Sequence, residues 1–468
     1  MKLTTRQWLL GILLIAFGLR LIAAFAVEHY VQSHGRQFLI EGDAAGYWEL
    51  AQKIASGDAY EIHQPPRRIL RTPGFPLLLA AIIRIAGPHV IAARVVLALI
   101  GAANCWLTWR LARSLFLSRN SHEDRTDEQN QQADRIGLLA ASLVAVSPLQ
   151  VGNCVLILSE EWFAFWLLLS LWPLAELFNR HRPKRLLLFA VAAGLATATA
   201  VLVRPGWLPW CAPALLIICL SAFRRGTGTQ LNFPQQNRFT AAIAPANFPS
   251  RTAHDWCTIL KPPSVRQGLK TGLFHTALFL LSFGLVMLPW VIRNHAVSGH
   301  LVLTSLWSGP SLYDGLNPDA TGASDMRFVD RDRLFETMSE FDVNREYNQR
   351  AKEWAVRNPA RTAQLALIKA ARFLNPIPNA DSFSHPVVTF ACLLYYVPLL
   401  PAVIYGGWAN RKNSTALLIT CGPCLQFLLV HMVFVGSIRY RLPVEFPLSV
   451  LAAHGLHLVL ARRTKTST

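Results

Sequence analysis

Apolar residues run along this chain in ten long, nearly charge-free stretches, at about 8–27, 90–117, 136–157, 161–178, 186–203, 206–223, 270–291, 388–407, 414–435 and 442–461. A stretch of roughly 17 to 25 such residues crosses a bilayer as a helix, because in hydrocarbon each backbone amide must be bonded within its own segment. The pattern predicts an all-α polytopic membrane protein, a bundle of about ten transmembrane helices. One further apolar segment, "PGFPLLLAAIIRIAG" at 73–87, is shorter, opens with Pro73 and Pro76 and carries Arg84. It reads as an interfacial or re-entrant helix.

That choice governs topology, since one more crossing would reverse every later loop. With 73–87 interfacial, the basic segments "RHRPKR" (180–185), "FRRGTG" (223–228), "NRKN" (410–413) and "ARRTKTST" share the cytoplasm with the N-terminus. The positive-inside bias requires this. Residues 1–292 then form an N-terminal transmembrane module with an outer loop at 28–89 and polar, flexible cytoplasmic linkers at 118–135 and 224–268. Residues 293–387 form a small extracytoplasmic region, 388–461 the C-terminal spans and 462–468 a cytoplasmic tail. In the extracytoplasmic region "NPARTAQLALIKAARFL" offers Asn358 as N-cap and Pro359 at the first helical position. The opening "MKLTTRQWLLGILLIAFGLRLIAAFA" also has the outline of a signal peptide ending at Ala26. Arg20 within it and its near-spanning length favour a retained helix.

Composition sharpens the class. Of 468 residues 52% are hydrophobic and 15% charged, which excludes an ordinary soluble domain. The net charge of +18 sits between apolar runs, so it reports membrane orientation and not nucleic-acid binding. The close cysteine pair Cys421 and Cys424, in "TCGPCLQ", has thioredoxin-like spacing but lies within a span, where small-residue helix packing is the better account. His29, His34 and His63 share the first outer loop without the spacing of metal ligands. No cofactor is expected; a divalent ion shared by Asp43 and Glu160 is compatible, although arginines alone can hold a monophosphate.

Asp43, Glu160 and Glu161 fall at span ends on the outer face, where a carboxylate is expensive unless solvated or paired. A solvated loop acid suffices for Glu41 and Glu161. For Asp43, in "EGDAAGYWELAQKI", a helix starting near Ala44 would put Ala45, Trp48, Ala51 and Ala55 on one face, with Asp43 as its cap, turned to an outer vestibule. On the same face, against the orientation bias, stand Arg67, Arg68, Arg71, Arg204, Arg293, Arg439 and Arg441. Snorkelling explains any single arginine. Four clusters, "RTPGFP", "VRPGW", "PWVIRNH" and "IRYRLP", instead call for an anion, and guanidinium forks suit a lipid-linked phosphate at that depth.

In order along the chain, "EGDAAGYWELAQKI", "RTPGFPLLLA", "ILSEEWFAFWLLL", "LVRPGWLP", "LPWVIRNHAVSGHLVLTSLWSGPSLYDGLNP", "EYNQRAKEWAVRNP" and "RYRLPVEFPLSVL" resemble the GT-C fold membrane glycosyltransferases. The resemblance is to the bacterial RgtA/B/C/D-like branch, related to the aminoarabinose transferase of lipid A and to protein O-mannosyltransferases. It implies a plasma-membrane enzyme that moves a sugar from a polyprenyl-phosphate donor to a lipid, cell-envelope glycan or protein acceptor on the non-cytoplasmic face. Asp43 matches the family's acid-base residue, and Glu160 matches its second carboxylate better than Glu161 does. The family's Asp-Glu pair is replaced here by Glu41 and Asp43 with Gly42 between, which argues against a protein mannosyltransferase.

The implied chemistry has Asp43 as general base in an inverting transfer, with Glu160 orienting the acceptor or holding a protonated partner. Arg71, Arg204, Arg293, Arg439 and Arg441 would hold the phosphate. Tyr47, Tyr313, Asp314 and Asn317 are candidates for the sugar or acceptor pocket, a plain turn being the alternative for "SLYDGLNP". Two other classes remain open: a transporter or flippase of lipid-linked sugars, although no repeated halves are visible, and a non-catalytic membrane subunit.

Overall fold

The computed structural model describes residues 3–117, 127–179, 183–227, 265–379 and 385–466. Among them the fold is helical, and its β content is one isolated antiparallel bridge between Ile62 and Arg67. Nine described helices are long and apolar enough to cross a membrane, and a bent pair brings the number to ten when it is counted as one span. The first, α1 (Thr5–Ser33), starts from a reciprocal capping box between Thr4 and Gln7. It runs six residues past the expected end at 27, which shortens the first outer loop. That loop carries α2 (Asp43–Ser56) and α3 (Gly74–Ala86), and α3, at 13 residues, is too short to span.

After α4 (Val90–Phe116), the crossing expected at 136–157 departs from the sequence reading. It begins earlier, as α5 (Asp127–Val146), so the expected flexible linker 118–135 is helical from Asp127 onward; 118–126 lie outside the described residues. It then breaks at Ser147 and continues as α6 (Pro148–Cys154), bent by 61°. Pro148 has no N–H to offer the Val144 carbonyl. Arg20 of α1, fully buried, donates instead to Val144 O (3.2 Å) and Ala145 O (3.1 Å), and Tyr395 donates to Leu143 O (2.8 Å). Arg20, the charge within the first apolar run, thus satisfies the carbonyls of a broken helix.

The remaining crossings are α7 (Glu160–Asn179), α8 (Pro183–Val203), a 3-10 turn (Pro205–Trp210) leading into α9 (Cys211–Thr227), and α10 (Val265–Ser298). Residues 224–227 and 265–268 of the second expected linker are therefore helical, and the rest of it lies outside the described residues. The region that follows folds as short helices: α11 (Ser308–Gly315), α12 (Arg327–Asp332), α13 (Leu334–Thr337), α14 (Glu340–Arg357) and α15 (Pro359–Leu374). Pro359 opens α15, but the Asn358 amide donates back to Trp354 O and does not cap it. Phe328, Val329, Phe335, Val343 and Tyr347 form this region's own core. Glu340 ties it to the first loop by accepting from the backbone N–H of Arg68 (2.9 Å) and Ile69 (3.1 Å).

The last crossings are α16 (Pro386–Ala409), α17 (Ser414–Val433) and α18 (Ile438–Thr466). Helices α16 and α18 meet backbone to backbone: a Cβ on Gly406 would lie 1.9 Å from Leu451 O, and one on Gly455 2.2 Å from Ala402 O. Cys421 and Cys424 lie inside α17 as free thiols, and Gly422 between them packs on Trp210. Because α3 does not cross and α5 with α6 crosses once, the C-terminal ends of α1, α6, α8, α10 and α17 and the N-terminal ends of α4, α7, α16 and α18 share one side. The site is built there.

Candidate active site

Helix α2 begins at Asp43 after Gly42, whose φ of 71° a side chain would strain. Asp43 is therefore the first helical residue and not its cap, and its carboxylate is released from the backbone. Trp48 and Ala51 are buried as the sequence reading expects, whereas Ala45 is exposed and Ala55 half-buried; Ala44, Gly46 and Leu50 are buried as well, so the covered face is broader than the expected stripe. The Asp43 carboxylate takes two partners from distant segments. Arg71 Nη2 donates to Oδ1 at 2.8 Å and Arg439 Nη2 donates to Oδ2 at 2.8 Å.

Arg439, in the first turn of α18, is forked. Its Nε donates to Glu160 Oε1 at the head of α7, and Arg204 Nη1, at the end of α8, lies 3.2 Å from the same oxygen. A continuous chain results: Arg71, Asp43, Arg439, Glu160, Arg204. Aromatic faces steady the cations. Arg71 lies 4.3 Å from the Tyr47 ring centre, and Arg204 and Arg439 lie 5.1 and 5.5 Å from that of Tyr440. Tyr440 in turn stacks on His431 at 4.1 Å. Tyr47 also reaches Ser159 through its hydroxyl, at 3.5 Å.

Exposure grades across the cluster. The Glu160 side chain is fully buried, those of Arg204, Arg71 and Arg439 are 15, 20 and 23% exposed, and that of Asp43 is 39% exposed. Asp43 is therefore the carboxylate an incoming molecule meets first. Burial acts to raise its pKa, but the charges of Arg439 and then Arg71 outweigh that and hold it well below the usual carboxylate range. Three guanidiniums face two carboxylates, a surplus of one positive charge. Glu160 Oε2 and Arg71 Nε are buried without a hydrogen-bond partner. Each is an unused acceptor or donor at the site's wall.

Several expected members are elsewhere. Arg293 donates to the carbonyls of Arg68 (3.0 Å) and Tyr60 (3.1 Å), and Arg441 bonds Glu445 (2.7 Å) and the carbonyls of Phe373 and Asn375. Both brace backbone and do not join the cluster. Tyr313 packs on Phe328 and Tyr347. Asp314 accepts from Ser324 Oγ and Asp325 N, and Asn317 Oδ1 accepts from Asp319 N; these two residues line a separate cavity with Asp319, Asp325 and Arg327. Glu161, expected to be solvated, is 1% exposed and accepts from Asn104 (2.8 Å) and Asn153 (3.3 Å). One residue along the helix turns a side chain by about 100°, so Glu160 and Glu161 face opposite surroundings. Glu41 is a surface acid paired with Arg36 at 3.6 Å.

Tyr440, His431 and Ser159 escaped the sequence reading. Tyr440 stood between two flagged arginines in "IRYRLP", a usable signal; His431 carried none. A divalent ion shared by Asp43 and Glu160 would have to displace Arg439, which bonds both.

Comparison with family models and with curated proteins finds no match. Among solved structures the chain is similar to the archaeal oligosaccharyltransferase AglB from Archaeoglobus fulgidus in complex with an inhibitory peptide and a dolichol-phosphate. That likeness has a TM-score of 0.44 at 13% identity and covers 99% of this chain and 52% of that one. It is also similar to ArnT from Cupriavidus metallidurans bound to undecaprenyl phosphate, with a TM-score of 0.35 at 13% identity, covering 96% of this chain and 77% of that one. The chain thus spans about half the length of the oligosaccharyltransferase.

Proposed function

We propose that this protein is an integral membrane glycosyltransferase that moves a sugar from a polyprenyl-phosphate donor to an acceptor hydroxyl on the non-cytoplasmic face. The observation that carries the reading is the chain Arg71, Asp43, Arg439, Glu160, Arg204, gathered from five segments at one end of the bundle. Its surplus of one positive charge matches the single negative charge of a sugar phosphodiester. As the anomeric bond breaks, the electron pair stays on the phosphate, and preorganised guanidiniums stabilise the growing charge more than the starting diester. Asp43, the exposed carboxylate, takes the proton of the acceptor hydroxyl as that oxygen bonds to the anomeric carbon from the opposite face. Inversion follows. Glu160, buried and with one free oxygen, orients the reacting groups.

A transporter of lipid-linked sugars would also gather arginines at a membrane edge. It has no need of a half-exposed carboxylate held between them, and that feature favours transfer. The test is reconstitution of the full chain in liposomes with polyprenyl-phosphate sugars, with mass analysis of envelope glycolipids and glycans in cells with and without it. Release of polyprenyl phosphate with a new glycoside supports the enzyme. Movement of intact donor between leaflets without product would establish the transporter.

A further inference from the structure

The proposed base is fully engaged in the resting site. Both Asp43 oxygens accept guanidinium hydrogen bonds, and one of those guanidiniums, Arg439, is also committed to Glu160. A carboxylate so engaged is a poor proton acceptor, whatever its position. The same two arginines are the obvious ligands for an incoming phosphate. Each has neighbours on which it can pivot without leaving the site: Arg71 lies over Tyr47, and Arg439 and Arg204 flank Tyr440. Arg71 Nε, buried and unpartnered, is already a spare donor.

Resting on the transferase reading above, we infer that Arg439 couples donor binding to base release: the donor phosphate draws the Arg439 and Arg71 forks off Asp43, and only then can Asp43 accept the acceptor proton. Arg439 is in this sense a positioning residue for Asp43 as well as a phosphate ligand. Phosphate oxygens outcompete the carboxylate because Arg71, Arg439 and Arg204 can all reach one anion, whereas Asp43 engages two of them. Glu160, fully buried, keeps a hold on the Arg439 Nε during the exchange and limits how far the side chain swings. The consequence is order. Without donor the site cannot activate water or a stray hydroxyl; with donor bound, the proton moves from the acceptor oxygen to Asp43, the anomeric carbon leaves the phosphate oxygen, and the new glycosidic bond forms. After release of polyprenyl phosphate the forks return to Asp43.

The exchange can be read without turnover. Full-length protein in detergent micelles is treated with a water-soluble carbodiimide and an amine, and modification of Asp43 is quantified by peptide mass spectrometry. Undecaprenyl phosphate is absent or saturating, undecaprenol is the uncharged control, and binding is measured separately. The inference expects low modification of Asp43 in the free protein, a several-fold rise with undecaprenyl phosphate and no rise with undecaprenol. In Arg439→Gln, modification should be high from the start and insensitive to the lipid, and the milder Arg439→Lys should fall between. If undecaprenyl phosphate binds while Asp43 stays protected, the coupling is wrong and the transferase reading stands. If undecaprenyl phosphate does not bind, both fall.

Discussion

Asp43 and Arg439 stand 396 positions apart in the chain and meet in a 2.8 Å ion pair. The contact joins the first interfacial helix to the first turn of the last crossing. It is possible only if α3 stays on the surface and the broken pair α5 and α6 counts as one crossing, because either change would send Arg439 to the opposite end of the bundle. The pair therefore records the topology of the whole chain as well as the chemistry of the site.

Asp43→Asn keeps the size and one hydrogen-bond acceptor but removes the negative charge and, with it, the proposed base. Sugar transfer is expected to fall by about 100- to 10,000-fold, the usual contribution of a general base. The gel-filtration profile should stay near that of the parent, with a lower melting temperature because Arg71 and Arg439 lose their carboxylate. Product formation at near-parent rate in the variant would refute Asp43 as the base; a transporter or a scaffold would form no product in either protein.

Arg204 and Arg441 were both candidates for phosphate, and the structure separates them. Arg204→Ala removes a charged donor beside Glu160 and is expected to weaken undecaprenyl phosphate binding about 10- to 100-fold, as for loss of a charge-assisted hydrogen bond. Arg441→Ala strips Glu445 and the carbonyls of Phe373 and Asn375 of their donor, so it should lower the melting temperature while affinity stays within about twofold. Binding isotherms beside thermal unfolding of the two variants give the comparison.

Glu161→Ala should behave as a folding mutation. It removes the carboxylate from the Asn153 amide, at about 1–3 kcal/mol for an unsatisfied buried group, and one of two acceptors from the Asn104 amide, which keeps its bond to the Glu161 backbone carbonyl. Glu161→Gln keeps an acceptor and should recover much of the loss. Melting curves in one detergent at fixed pH measure both; a parent-like curve for the alanine variant would mean the amides had found other partners.

Lys369 supplies a pH test away from the site. It is fully buried on α15, donating to Gly315 O and Val433 O at 2.8 Å, the C-terminal ends of α11 and α17. Burial lowers its pKa to about 8, against a smaller raising effect of Asp314. Below pH 8 it is charged in folded and unfolded chains alike, and its full desolvation penalty applies. Between about pH 8 and the ordinary lysine value near 10.4, the unfolded chain holds more protons, so this group's contribution to stability rises with pH. Melting temperatures from pH 7 to 10, with Lys369→Met subtracted to remove other titrations, should show that rise in the parent only.

Much of the fold was readable from sequence because the strongest constraint on a membrane helix is local. A helix in hydrocarbon bonds its own backbone, so length and apolarity of a run are nearly sufficient to place it. The exceptions mark where local rules stop. The 61° break at Ser147 is signalled by Pro148, yet its repair by Arg20 and Tyr395 comes from helices more than a hundred residues away. Glu160 and Glu161 are chemically equal in the sequence; which one faces the site depends on the rotation of α7 against α4, where Asn104 takes Glu161.

The sequence alone determined the membrane class, the short α3 and the gathering of acids and arginines at span ends, because each follows from transfer energies of single residues or short windows. Tertiary structure decided which charges meet. Five arginines were candidates for the phosphate; packing set Arg71, Arg204 and Arg439 against the carboxylates and turned Arg293 and Arg441 to backbone carbonyls. A charged side chain's partner depends on helix rotation and depth to within a few ångströms, which no run of hydropathy encodes.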